Sequence, residues 1–133
     1  MSYSKLGKFF ALAALLGAPA FAQEFKFDVP FAFTTGSQTW DAGNYTVSLS
    51  TGVLNIRNTL THKGSFLMTT ATDSHAKADG LAVLKFNQYG DRYFLSQLWV
   101  GLDRGAALRK SQAEKEQSKG VGPVLATVKA SGR

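Results

Sequence analysis

Two histidines, His62 and His75, are the side chains most suited to chemistry, and Asp73, Ser74 and Asp79 lie near the second. A zinc or copper site needs three or four donors converging on one point. Asp73, His75 and Asp79 carry suitable atoms but sit in one polar loop, with His62 in another, so solvated loop residues are expected and no metal is assigned. A Ser-His-Asp relay from Ser74, His75 and Asp73 fails on geometry. Adjacent residues of one loop do not aim at each other, and no nucleophile elbow is present. Asp28, Asp41, Asp91 and Asp103 fall at outward or turn positions, where Asp commonly bonds nearby backbone. Glu24, Glu114 and Glu116 lie near segment ends. Glycoside hydrolysis needs two acids facing across a cleft, and no pair here has a local reason to meet. The chain has no cysteine, which excludes thiol catalysis and thiolate metal sites. No catalytic residue, metal ligand or cofactor follows from the sequence.

Aromatic side chains are the remaining signal. Their faces stack on apolar sugar faces and grip extended chains. Trp40 and Tyr89 stand at loop ends and are the ligand-binding candidates, while Trp99 lies inside an apolar run and is expected in the core. Charge points away from nucleic acid. The formal net charge is +6, but Arg57, Lys63, Lys77, Lys85 and Arg92 are scattered one per segment. The single dense stretch, residues 109–119, also holds Glu114 and Glu116, which suits a solvated face better than a phosphate-binding stripe.

The elements that would position these residues are strands. Phe25, Phe27, Val29, Phe31 and Phe33 alternate with Lys26, Asp28, Pro30 and Ala32, so one aromatic face is expected over residues 25–33. Pro30 cannot donate a ladder hydrogen bond and belongs at an edge or bulge. Residues 34–39 read as a polar turn. Period two returns in Tyr45, Val47 and Leu49, then in residues 53–57 and 65–70. Residues 71–80 read as an exposed loop. Apolar runs at 81–87 and 92–100 flank a turn at Gly90-Asp91. The second run is apolar on both faces, as for a strand beneath a covering segment or in mid-sheet. Ser111-Gln112-Ala113-Glu114 has capping-box spacing, so a short, nearly all-polar helix is expected there, docked through Leu108 and Ala113 if at all.

Of 133 residues, the first 22 read as a cleavable export signal. Lys5 and Lys8 precede an uncharged apolar run at 9–17, and Ala20-Phe21-Ala22 offers small residues to a peptidase. That run is too short to span a bilayer, and no later stretch is long enough. The expected organisation is a signal at 1–22, a β domain at 23–105, a short polar helix at 106–120, and a tail or final strand at 121–133, with a tail slightly preferred. The fold class is all-β: a small antiparallel β-sandwich or barrel of about six to seven strands with a short C-terminal helix.

Three groups of residues form a recognisable combination: Val29-Pro30-Phe31-Ala32-Phe33, Ala42-Gly43-Asn44-Tyr45-Thr46-Val47, and the run from Tyr89-Gly90-Asp91 to Leu98-Trp99. With Lys110-Ser111-Gln112-Ala113-Glu114 they resemble a family of small exported β proteins of acidobacterial type, over about residues 25–116. Trp40-Asp41 departs from the Leu-Pro that this family usually carries. The resemblance implies a β fold and export, and brings no catalytic residue and no ligand. The leading expectation is a periplasmic or extracellular, non-enzymatic β module that binds a cell-envelope protein or glycan through a sheet edge or loop aromatics. Two alternatives stand beside it. One is a small carbohydrate-active or other hydrolase whose loop acids Asp41, Asp73 and Asp91 meet on folding. The other is a lipocalin-like carrier with Phe27, Phe31, Tyr45 and Phe86 around an apolar cavity.

Overall fold

Alternation makes the first strand, β1 (Glu24–Val29). Phe25, Phe27 and Val29 are buried while Glu24, Lys26 and Asp28 are exposed, because successive strand side chains point to opposite faces. The computed structural model of the protein describes residues 23–72, 82–101 and 104–132. The signal expected over residues 1–22 lies outside them, as do Asp73, Ser74, His75, Lys77, Asp79 and Asp103. Among the described residues, β1 is followed by β2 (Phe33–Thr35), β3 (Gln38–Trp40), β4 (Gly43–Ser50), β5 (Val53–Asn58) and β6 (Gly64–Thr72). Then come β7 (Ala82–Tyr89), β8 (Arg92–Val100), β9 (Arg104–Leu108), a helix α1 (Gln112–Gln117) and β10 (Val124–Gly132).

Eight of these strands close on themselves in the order β1–β4–β5–β6–β9–β8–β7–β10, every neighbour antiparallel, with β10 returning to β1. β2 joins β8 in parallel and pairs with β3. The protein is all-β and a barrel, and the expected six to seven strands are corrected to ten among the described residues. Closure removes most of the free edge to which another chain could add, which matters for a small domain without disulfides. The antiparallel circuit also sets the two ends. The β5–β6 and β7–β8 turns, the β2–β3 hairpin, α1 and the start of β10 share one end.

Several boundaries differ from expectation for physical reasons. The first strand stops at Val29, since Pro30 cannot donate to the ladders that hold β1 between β4 and β10. Phe31 and Phe33 therefore leave that strand. Residues 34–39, expected as a turn, contain the β2–β3 hairpin around Gly36, whose φ of 58° suits a residue without Cβ. The segment 106–120 is helical only over α1, its first residues completing β9. Residues 124–132 are a strand rather than a tail, pairing with β7 from Val124↔Gln88 to Lys129↔Val83.

The interior is filled with rings. Phe31 meets Phe86 edge-on at 4.9 Å and stacks on Tyr93 at 3.8 Å. Phe33 lies 5.2 Å from Tyr45 and 5.3 Å from Phe86. Phe27, Phe31, Tyr45 and Phe86, the four rings of the carrier alternative, thus belong to one packed cluster. β8 is buried on both faces, as its composition predicts. Leu95 and Leu98 face the core. Trp99 lies on the other side against Val83, 1% exposed, its indole Nε1 donating to Gln97 Oε1 at 2.7 Å. Gly105 of β9 makes this possible. A Cβ there would stand 2.8 Å from two Trp99 ring carbons and 2.7 Å from Thr72 Cγ2.

Candidate functional site

Trp40 ends β3 and is 1% exposed. Its Nε1 donates to Thr35 Oγ1 at 2.7 Å across the hairpin. Phe33 stacks on it at 6.2 Å, Tyr45 meets it at 5.8 Å, and Lys63 Nζ sits 4.8 Å from the ring centre. Lys63 Nζ also donates to Thr39 O at 2.8 Å, tying the hairpin to the start of β6. This ring, a ligand-binding candidate on its sequence position, is therefore committed to protein neighbours. Tyr45 donates its hydroxyl to the Asp41 carbonyl. Burial pushes that phenol upward, with Asn58 opposing and the Asp41 carboxylate assisting.

Tyr89, the other aromatic candidate, is 5% exposed. Its hydroxyl donates to Glu114 Oε2 at 3.0 Å, and Asn87 Nδ2 donates to the same oxygen at 2.8 Å. Burial, followed by the Glu114 hydrogen bond and charge, pushes the phenol of Tyr89 up to about 12. Glu114 is the buried residue of α1, so the helix docks through a carboxylate, with Ala113 only half-buried. The capping box is half realised. Ser111 Oγ accepts from the Glu114 amide at 3.1 Å, while the Glu114 carboxylate bonds Tyr89 and Asn87. A buried acid with two donors is satisfied, and the described residues bring no second acid to it. Both candidate aromatics are buried, and Trp40 borders a depression of about 170 Å³ with Asp41, Asn58, Thr61 and Lys63.

Among the described residues, the acids and the histidine singled out by residue type do not assemble either. Asp41 and Asp91 are exposed in separate turns, and Asp73 lies outside the described residues. His62 is exposed in the β5–β6 turn at a φ of 64°. Among the described residues no three His, Cys, Asp or Glu side chains form a group able to hold a metal.

Among the described residues, large apolar side chains are exposed at Leu60, Val121, Val124 and Leu125 and, paired on one sheet face, on the outer side of β5 and β6. Phe66 is 75% and Met68 77% exposed. Register fixes their company: Val53 lies opposite Met68, Asn55 opposite Phe66 and Arg57 opposite Gly64. Alternation puts Leu67 on the inner side, against the core. The β9 ladder begins only at Thr69↔Leu108, so Gly64–Met68 is paired with β5 alone. A shallow groove of about 590 Å³ runs here beside Met68, Thr70, Ala107 and Arg109. Arg57 and Arg109 are exposed, and neither has a carboxylate partner among the described residues. Sequence alternation marks the β6 strand but not this face. Phe66 and Met68 form one apolar parity set and Leu67 belongs to the other, so the pattern does not say which side meets water.

Comparison with known proteins finds no matching family model, no matching characterised protein and no matching solved structure.

Proposed function

We propose that this chain is an exported, non-enzymatic β-barrel module that holds another protein on the outer face of β5 and β6. The observation that carries the reading is the pair Phe66 and Met68, both about three-quarters exposed and side by side on one face with Val53. Large apolar side chains grouped on a rigid sheet commonly mark interaction surfaces, whereas single exposed ones need no explanation. A protein partner is favoured over a glycan because Trp40 and Tyr89, the rings suited to stacking on sugar, are enclosed.

The test is a photocrosslinking amino acid placed at position 68 in the producing cell, with the same group at Lys26 as control. Lys26 is exposed on β1, three strands away around the barrel. An adduct at 68, absent at 26 and lost in F66S, is the expected result. Equal adducts at both sites, or none at either, would remove the reading.

A further inference from the structure

We infer that the partner held on this face presents apolar side chains flanked by carboxylates, that is, an acidic amphipathic segment of another protein. The inference rests on the reading of the β5–β6 face as the docking surface and adds the chemistry of its occupant. Arg57 lies opposite Gly64 on the outer side of β5, and Arg109 follows Leu108, the partner of Thr69. The two cations therefore bracket Phe66 and Met68, separated along the strand direction by the Gly64-to-Met68 span of roughly 14 Å at about 3.4 Å per residue. The outer-facing neighbours Val53, Asn55 and Thr70 carry no charge. Glu114, which lines a neighbouring depression with Met68 and Arg109, is buried and already accepts from Tyr89 and Asn87.

A greasy centre with cations at its margins selects against basic partners and against a second copy of itself. A two-fold pairing of this face would gather four arginines into one interface with no carboxylate among the named residues of the face, which like-charge repulsion disfavours. Rim charges mainly govern encounter and discrimination, while the apolar centre supplies most of the affinity. Carboxylates on the partner satisfy both arginines without moving any element of the barrel.

The experiment is selection from an unbiased random-peptide display library on the protein as purified from the producing cell, run in parallel on R57E/R109E and on F66S/M68S. All four substituted positions are exposed, and each variant is checked for wild-type thermal unfolding first. On the wild type, the expected peptides carry Asp or Glu on both sides of an apolar pair. For the best peptide, R57E/R109E should lower affinity about tenfold or more, with a steep salt dependence. Selection on R57E/R109E should reverse the enrichment toward Lys and Arg. Peptides without acidic enrichment that still require Phe66 and Met68 overturn this inference and leave the docking surface standing. Peptides that bind F66S/M68S equally well, or no binders at all, overturn the docking surface itself. Two further outcomes also overturn the inference by naming another occupant. One is sedimentation with phosphatidylglycerol vesicles that R57E/R109E abolishes. The other is concentration-dependent dimerisation that F66S/M68S abolishes.

Discussion

A carboxylate taken out of water needs donors, and Glu114 has two, Tyr89 Oη and Asn87 Nδ2, on one oxygen. Replacing Glu114 with Ala leaves both donors without their acceptor at a nearly closed site, which costs about 1–3 kcal/mol for a buried unsatisfied group. Urea unfolding of E114A should show a loss of that size, with reduced helical signal as α1 loosens. Tyr89 gives a prediction with a definite sign. Its folded pKa of about 12 lies above the ordinary value of 10.0, so the folded state favours the protonated phenol. That contribution is complete below pH 10 and is lost as pH rises from 10 toward 12. Ultraviolet titration should therefore resolve one phenol near pH 12 that disappears in Y89F. The stability gap between wild type and Y89F should also narrow over the same interval. Polar sequence neighbours make Trp40 and Tyr89 read as open loop ends. Their rings turn inward because the hairpin and α1, segments that no local pattern places against them, close over them.

Among the elements, β9 is the least legible and among the most constrained. Arg104-Gly105-Ala106-Ala107-Leu108 has weak strand propensity, yet it pairs with both β6 and β8. Its Gly105 lets the Trp99 ring lie against the backbone, a tertiary requirement that no local pattern announces. G105A would place Cβ 2.8 Å from Trp99 ring carbons and 2.7 Å from Thr72 Cγ2. Overpacking of this kind costs about 1–3 kcal/mol, and a lowered thermal midpoint with a shifted Trp emission is expected. β10 poses the complementary case. Only Val128 of its described side chains is well buried, and its sequence reads slightly better as a tail. It is a strand because β1 and β7 present two open edges that only backbone hydrogen bonds can satisfy. A chain truncated before Val124 should lose cooperative unfolding and aggregate through those edges, as measured by calorimetry and light scattering.

At the scale of the molecule, stability comes chiefly from the main core cluster, and a core ring should weigh heavily. Phe27, 0% exposed, replaced by Ala should cost about 3–5 kcal/mol in urea unfolding, a large share of the roughly 5–15 kcal/mol typical of whole domains. The alternating greasy positions of β1, β4, β5, β7 and β8 are enough to determine an all-β chain and most of its core, because period two leaves only one way to bury those side chains together. Two decisions lie beyond local pattern. Closure into an eight-stranded barrel depends on β9 and β10, whose ladders to β6 and to β7 and β1 join residues far apart in the chain. The choice between Phe66 with Met68 and Leu67 for the inner side of β6 depends on register with β5, since both sets are apolar. Burial is a property of what the rest of the fold brings opposite a residue, so the face open to a partner emerges only when the circuit of strands is complete.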